Sequence, residues 1–289
     1  MLTAPQGTVT LVFTDVQGST LLWDLYPEGM HEALQVHNDV LRSVLIEVGG
    51  YEVRTEGDAF VLAFQTTQEA VSWCVKAQHA LLEATWPSQI LKSIEAGEVL
   101  DANMQPSFRG LRVRMGIHCG EPEIREIPVT GRTDYVGSMV HRAEGISDAG
   151  HGGQILISAK VREQLAKETQ WIIDDLGEHR IKWMDAPEHL YQISSSKLAH
   201  RSFPPIRTQE AQRTNLPHYE TPFVNRTLSL QALDDYYDHS HRVITLLGPG
   251  GMGKSRLAVH YGGLHLSNYD GGVWFCDLSE AVDLQDVLL

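Results

Sequence analysis

Two aspartates that follow strand-like segments are the first candidates for chemistry. Asp15 lies at the end of a predicted strand over Thr8 to Phe13, and Asp58 lies in the turn of a predicted β-hairpin over Tyr51 to Phe64. Gly57 supplies the backbone freedom that a tight turn requires. Two carboxylates fixed at strand ends can hold magnesium ions that act on phosphates. For a single aspartate beside a glycine, an exposed turn residue is the common alternative.

A second candidate site has a more specific spelling. Residues 248–255 read GPGGMGKS, after the apolar segment Val243 to Leu247, predicted to be a strand, and before a predicted helix. This matches the phosphate-loop pattern in full and in the required strand-loop-helix context. The glycines let backbone N–H groups face a phosphate, the lysine adds a positive charge and the serine can ligate magnesium. The alternative is a glycine-rich turn that opens a helix. The residues expected to bind ATP or ADP are Gly248, Gly251, Gly253, Lys254 and Ser255.

Composition excludes several other classes of protein. A length of 289 residues with 42% hydrophobic residues allows a sizeable core and more than one domain. The net charge of -14 argues against binding to nucleic acid, which requires a basic face. Cys74, Cys119 and Cys276 lie far apart, so neither a disulfide framework nor a zinc site is predicted. The N-terminal segment resembles neither a signal peptide nor a membrane span, so we expect a cytoplasmic protein without a membrane partner.

The pattern of the first two thirds predicts one mixed domain over residues 1–195. Its element order is β-α-α-β-β-α-β-(β)-α-β-α-β-β, which favours an α/β (α+β) sandwich with helices on a mainly antiparallel sheet. Residues 86–109 are polar and poorly periodic and are predicted to be an exposed excursion. The last two strands, within residues 171–193, are expected to lie around Gly177. The predicted helices cover residues 19–48 with a break at Pro27, 67–82, 137–146 and 159–168.

The chain changes character after this domain. Residues 196–222 are rich in Ser, Thr, Gln, His and Pro and are predicted to be a linker. A predicted helix over Leu228 to Tyr237 precedes the phosphate-loop motif, and a further strand is expected at Gly272 to Cys276. Residues 223–289 therefore form a separate predicted domain.

Five segments of the first domain carry a family resemblance. They are VTLVFTDVQGSTLLW (9–23), GGYEVRTEGDAFVLAF (49–64), GLRVRMGIHCGEP (110–122), TGRTDYVGSMVHRAEGIS (130–147) and GGQILIS (152–158). In this order they resemble the catalytic domain of class III nucleotidyl cyclases, most closely the fungal-type adenylyl cyclases. The resemblance implies the ferredoxin-like sandwich of that family and a homodimer with active sites between its two subunits.

The resemblance also implies a reaction. In that family two aspartates hold two Mg²⁺ or Mn²⁺ ions, which activate the 3′-hydroxyl of ATP for attack on the α-phosphate, so that pyrophosphate leaves. The matching residues are Asp15 and Asp58, with the backbone carbonyl of Val16 as a further ligand. The family selects adenine with a lysine and an aspartate, and here these positions are Arg54 and Asp134. Arg54 can still donate a hydrogen bond, but its planar fork differs in shape from an ammonium group.

One pair of positions departs from the family. The family has an asparagine that orients the ribose and, four residues later, an arginine that stabilises the transition state, whereas this chain has His141 and Gly145. Arg142 is a poor substitute, because it points about 100° away from His141 around a helix. Loss of one preorganised charge-stabilising group typically costs ~10²-fold or more in rate. Two hypotheses follow: a slow adenylate cyclase, or a degenerate cyclase domain that dimerises or binds nucleotide as a regulatory module.

The second domain carries a resemblance of its own. Leu216-Pro217, Thr221-Pro222-Phe223-Val224 and Arg226 precede the phosphate loop, and Gly272-Val273-Trp274-Phe275 follows it. These features resemble the start of a STAND-type P-loop NTPase domain, although Asn225 replaces the glycine usual there. We therefore expect residues 223–289 to be a truncated N-terminal part of such a domain, belonging to a larger signalling regulator.

Overall fold

The computed structural model describes residues 3–101, 103–128, 131–166, 170–181, 184, 186–208, 214–217, 223, 226–238, 241–265, 269 and 272–278. The chain divides into two compact units, Met1–Gln209 and Glu210–Leu289. The helices are α1 (Ser19–Leu25), α2 (Pro27–Val48), α3 (Thr67–Glu83), α4 (Ser138–Ala149), α5 (Ala159–Gln164), α6 (Thr227–Asp238) and α7 (Lys254–Leu264). The strands are β1 (Val9–Val16), β2 (Tyr51–Glu56), β3 (Ala59–Phe64), β4 (Val99–Leu100), β5 (Pro106–Phe108), β6 (Val113–Gly120), β7 (Glu123–Glu126), β8 (Thr133–Val136), β9 (Ile155–Ser158), β10 (Ile172–His179) and β11 (Glu188–Ser194).

The first unit is built on a seven-stranded sheet with the order β10-β11-β9-β6-β1-β3-β2. All neighbouring strands are antiparallel except β6 and β9. The prediction of an α/β sandwich with a mainly antiparallel sheet is therefore confirmed. The predicted hairpin over residues 51–64 is also observed, with Gly57 in the left-handed region at φ 64°.

Helices cover both faces of this sheet. One face packs on α2 and α3 through a large apolar core, and α3 begins with a capping box between Thr66 and Glu69. The other face packs on α4, which approaches β6 very closely at Gly116. A Cβ at that position would lie 2.8 Å from the carbonyl oxygen of Ala143 and would also meet the backbone amide of Ser147. The missing side chain thus fixes how near α4 lies to the sheet.

Two predictions about this unit are wrong. Residues 86–109 are exposed only in part: Ile94 and Met104 are exposed, whereas Trp86, Ile90 and Ala96 are buried in the core with α2 and α3. The segment is mostly irregular, so its buried residues do not recur at the spacing of a helix or a strand. Their burial could therefore not be predicted from the sequence pattern. Gly177 does not join the last two strands but lies within β10, where the register with β11 shifts. The helix predicted over residues 159–168 ends at Gln164, and residues 167–169 lie outside the described part.

The first part of the predicted linker folds onto the first unit. Leu198, Ile206 and Thr208 are buried. Arg201 is enclosed as well, and its guanidinium donates to the backbone carbonyl oxygens of Ser107 and Gly153. Few residues of this segment are apolar, so its composition did not predict that it packs on the first unit. Residues 209–213 and 218–222 of the predicted linker lie outside the described residues.

The second unit contains α6 and α7, which pack through Leu233, Leu257 and Tyr261. The helix predicted over residues 228–237 is observed as α6. The predicted strand over residues 243–247 is not assigned as a strand. Ile244 and Leu246 do pack on the helices, but no described residue pairs with this segment in a ladder. At residues 272–276 the described structure contains one bridge, between Val273 and Thr214.

Candidate active site

The predicted metal ligands lie together where β1 ends and the β2–β3 hairpin turns. This end of the strands is here called the metal edge (Asp15, Val16 and Asp58). In the antiparallel register of β1 and β3, Thr14 lies opposite Phe60. In an antiparallel pair Asp15, which follows Thr14, lies on the side of Ala59, which precedes Phe60, and this brings Asp15 beside the turn that carries Asp58. The charge of Asp58 contributes to the pKa of Asp15, as expected for two close carboxylates.

Arg114 braces Asp15 from the neighbouring strand. The two residues are cross-strand partners in the β1–β6 register, and the Arg114 Nε donates to Asp15 Oδ2 at 2.8 Å. The same guanidinium lies 3.3 Å from Asp148 Oδ1, at the end of α4. Burial raises the pKa of Asp15 above its ordinary value, whereas Arg114 lowers it. The ion pair thus favours the ionised carboxylate that a metal ion requires.

Asp58 has an oxygen with no partner. Its Oδ2 is buried and makes no hydrogen bond within the described structure. An unpaired buried carboxylate oxygen is costly, and a divalent cation would satisfy it. Among the described residues, no group of three or more His, Cys, Asp or Glu side chains could hold a metal ion. Two carboxylates with a backbone carbonyl nevertheless match the oxygen ligands that Mg²⁺ and Mn²⁺ prefer, so the residues present fit such ions.

The two predicted base-contacting residues are joined to each other. Arg54 on β2 donates through Nη1 to Asp134 Oδ1 on β8 at 2.8 Å. Arg54 Nε also donates to Glu56 at 2.8 Å. Near this pair the Tyr51 hydroxyl lies 3.1 Å from the backbone amide of Thr133, and Arg132 donates to the carbonyl of Glu52. The side chains of Arg54 and Asp134 are therefore held before any ligand is bound.

The α4 face (His141 and Gly145) is built differently. The side chain of His141 is 65% exposed, and its nearest charged partner is Glu144 at 3.7 Å. Gly145 is buried, so no side chain emerges at the position where the family has arginine. Arg142 is engaged elsewhere, because its guanidinium donates to Glu188 Oε2 at 2.9 Å. The described structure thus offers no guanidinium from α4 for this position.

Comparison with known proteins decides the class of the first unit. Residues 1–195 match the model of the adenylate and guanylate cyclase catalytic domain. The chain belongs to this family. The resemblance to class III cyclases inferred from the five motifs is therefore confirmed.

Relatives of this cyclase domain include fungal adenylate cyclases. That of Podospora anserina is 36% identical over 230 residues, which covers 68% of this chain and 11% of that protein. That of Mycosarcoma maydis is 48% identical over 161 residues, covering 56% of this chain and 6% of that protein. The chain therefore spans about a tenth of the length of these curated relatives, or less.

A solved structure gives the same fold. It belongs to a structural analysis of adenylate cyclases from Trypanosoma brucei in their monomeric state. The two structures share a TM-score of 0.65 and 28% sequence identity, over 71% of this chain and 96% of that one.

Among the described residues, no helix is long and apolar enough to cross a membrane.

Sequence reasoning missed part of the metal edge of the cyclase domain. Arg114 and Asp148 were not predicted as site residues, although they form one ion-pair network with Asp15. The signal for Arg114 lies in strand pairing, since it is the partner of Asp15 across β1 and β6. That register depends on contacts distant in sequence, so the local pattern does not reveal it.

The predicted phosphate loop lies in the second unit. Gly251 and Gly253 have φ of 78° and 77°, in the left-handed region, and Gly253 precedes the first residue of α7. Lys254 Nζ donates to the carbonyl oxygens of Gly248 and Pro249, both at 2.9 Å. The first residue of α7, Lys254, therefore extends its side chain back over the loop. Ser255 is the second residue of α7 and is exposed.

Proposed function

We propose that this chain is an adenylate cyclase that converts ATP to cyclic AMP and pyrophosphate, in a cyclic-nucleotide signalling regulator. The observation that carries this proposal is the pair of aspartates at the metal edge, one braced by Arg114 and the other with a buried, unpartnered oxygen. The curated relatives named adenylate cyclases add support.

The metal edge provides the first part of the mechanism. Asp15, Asp58 and the carbonyl of Val16 would hold two Mg²⁺ or Mn²⁺ ions. When bound, such ions supply Lewis-acid charge to the attacking 3′-hydroxyl and to the phosphates. The chain's own contribution is rigidity, because β1 and the β2–β3 hairpin fix both carboxylates and Arg114 favours the ionised form of Asp15.

Arg54 and Asp134 would select the adenine base of the substrate. Asp134 Oδ1 is occupied by Arg54, and its other oxygen can accept a hydrogen bond from the 6-amino group of adenine. Arg54 keeps N–H groups that can donate to an acceptor on the base. A carboxylate would repel the carbonyl oxygen that guanine carries at the same place, so ATP is the favoured substrate.

The α4 face limits the rate. Without an arginine at position 145, no guanidinium from α4 stabilises the negative charge that develops on the α-phosphate in the transition state. An arginine that contacts a transferring phosphate can raise the rate by ~10³–10⁵. This observation favours a second candidate function. In that case the domain is catalytically degenerate and acts as a dimerising or nucleotide-binding regulatory module.

A homodimer is part of the proposal, because active sites of this family form between two subunits. Leu21, Trp23 and Leu25 on α1 are partly exposed, and exposed apolar side chains that lie close together are typical of interaction surfaces. A cytoplasmic location remains a prediction from the sequence.

Cyclic AMP production tests the two candidates. The full chain would be incubated with ATP and Mn²⁺ beside an Asp58→Ala variant, and cyclic AMP would be quantified by chromatography. Product above that of the variant is expected. Equal traces of product from both proteins would instead favour the regulatory module.

For the second unit we propose a P-loop nucleotide site of the STAND type that binds ATP or ADP. The left-handed glycines before α7 and the position of Lys254 support it. Lys254→Ala is expected to abolish nucleotide retention by this unit. In the Asp58→Ala background, retention that survives Lys254→Ala would refute the assignment.

A further inference from the structure

The segment that leaves β11 folds back over the cyclase unit as a strap (residues 195–208). Its first residue, Ser195, contacts His79 Nε2 through its hydroxyl at 2.7 Å. Arg201 anchors its middle: besides the carbonyls of Ser107 and Gly153, its guanidinium reaches Gln78 Oε1 at 2.8 Å and lies 4.8 Å from the ring centroid of Phe108. The family match ends at residue 195, so these contacts lie beyond the part of the chain that the family model covers.

The strap ends beside the metal edge. The Arg207 backbone amide donates to the carbonyl oxygen of Ala149, the last residue of α4, at 2.7 Å. The neighbours of Arg207, Ile206 and Thr208, are both buried, whereas Arg207 itself is exposed. The backbone is therefore held in place, and the side chain extends toward Gln17.

The guanidinium of Arg207 reaches the loop that follows the metal-binding strand. Its Nη2 lies 3.3 Å from the side-chain oxygen of Gln17, the residue directly after Val16. The same oxygen accepts a hydrogen bond from the backbone amide of Gly152 at 2.7 Å. Gln17 thereby connects the strap, the loop before β9 and the end of β1.

The charges around Arg207 leave it available to a ligand. Burial lowers the pKa of Arg207, the charge of Arg114 lowers it as well, and the charges of Asp148 and Asp15 raise it. Both carboxylates already contact Arg114. In the part of the chain that the structure describes, Arg207 donates to Gln17 and to no carboxylate. A partly desolvated guanidinium with spare N–H donors is thus anchored beside a site for divalent cations.

We propose that Arg207 contacts the phosphate groups of the nucleotide at the metal edge, so that the strap completes the substrate site. The inference rests on the proposed cyclase function and adds a phosphate-contacting residue to it. A guanidinium suits this task because its planar fork binds two phosphate oxygens at once. It would also offset the negative charge that ATP brings to an edge with three carboxylates, Asp15, Asp58 and Asp148.

Binding of inorganic pyrophosphate tests this role. Calorimetric titrations with Mn²⁺ and pyrophosphate, and separately with ATP, would use the full chain in a Lys254→Ala background, which removes the phosphate loop as a second site. Arg207→Gln is expected to weaken both affinities about tenfold, since one charge-assisted hydrogen bond is lost. Arg207→Lys should recover part of this loss, because it restores the charge without the fork.

Lys197→Gln is the matched control. Lys197 lies on the same strap, is 69% exposed and contacts Glu83 at the end of α3 at 3.4 Å, so its loss removes one positive charge that does not contact the metal edge. Pyrophosphate affinity should be unchanged in this variant, and circular dichroism should show all variants folded. Full affinity in folded Arg207→Gln, or an equal loss in Lys197→Gln, would overturn the inference alone. Absence of Mn²⁺-dependent pyrophosphate and ATP binding in the parent protein would overturn the proposed function and this inference together.

Discussion

The metal edge and the α4 face differ in how completely the fold prepares their chemistry. At the metal edge, Asp15 is held by Arg114, which also reaches Asp148 and so ties β1, β6 and α4 together. On the α4 face, His141 is exposed and Gly145 has no side chain to hold. Both regions belong to one cyclase domain, yet only the first has a charged group, Asp15, that an ion pair with a neighbouring strand orients.

The difference shows that the two halves of such a site can change independently. Replacing Asp15 would take one carboxylate away from the largely buried guanidinium of Arg114, so local stability depends on this residue. Position 145 has no such partner, and a glycine there costs the helix only about 1 kcal/mol of propensity. A substitution at position 145 therefore costs little stability, whereas the loss of Asp15 breaks an ion pair.

The largest effect should come from Asp15→Asn. The change keeps the size of the side chain but removes the charge that pairs with metal ions, so cyclic AMP formation should fall ~10³-fold, the equivalent of several kcal/mol of transition-state stabilisation. Initial rates with ATP and Mn²⁺ would measure it. Asp174→Asn, on the edge strand β10, is the control and should keep the parent rate. A similar loss in both variants would mean that the metal edge has no special part in the reaction.

What sequence reasoning found and missed at these two regions follows from the range of the contacts. The hairpin that carries Asp58 was predictable because its alternation and the Gly57 turn are local features. The Arg114 brace was not, because it depends on the β1–β6 register across about a hundred residues. Gly177 was misread because a glycine with φ of 83° looks the same in the sequence whether it forms a turn or a bulge.

The α4 face can be repaired in a double variant. His141→Asn with Gly145→Arg restores the family's ribose-orienting and charge-stabilising groups, so the rate of cyclic AMP formation should rise by ~10²-fold or more. The matched control is His141→Asn with Glu144→Arg, which places the same guanidinium about 100° away around the helix. Equal rates in the two double variants would show that position 145 is not what limits the site.

A smaller effect tests how α4 is held against the sheet. Gly116→Ala places a methyl group against the backbone of Ala143 and Ser147, so α4 has to move, and the free energy of unfolding should fall by ~1–3 kcal/mol. Chemical denaturation followed by near-ultraviolet circular dichroism would measure it. Gly120→Ala on the same strand meets only the mobile ends of Met139 and Lys160, at 3.3 and 3.5 Å, and should cost less. Equal losses would indicate that α4 is not locked at Gly116.

The smallest effect concerns His118, which lies on β6 two residues beyond Gly116 and on the same face, under α4. Burial, together with the charges of Arg142 and Lys160, lowers the pKa of His118 to about 3. The unfolded chain then binds more protons than the folded one between pH ~6.5 and about 3, so stability falls as the pH drops through this window, by at most ~1.4 kcal/mol per pH unit. His118→Gln cannot gain this proton but can keep a hydrogen bond to Ser158, which now lies 2.8 Å from the ring nitrogen. The unfolding free energy of the variant should therefore decline less between pH 6.5 and 5 than that of the parent. Parallel pH profiles of the unfolding free energy would mean that the His118 ring is hydrated in the folded protein, or that α4 already loosens above pH 6.5. In that case α4 would be held less firmly against the sheet than Asp15 is held by Arg114.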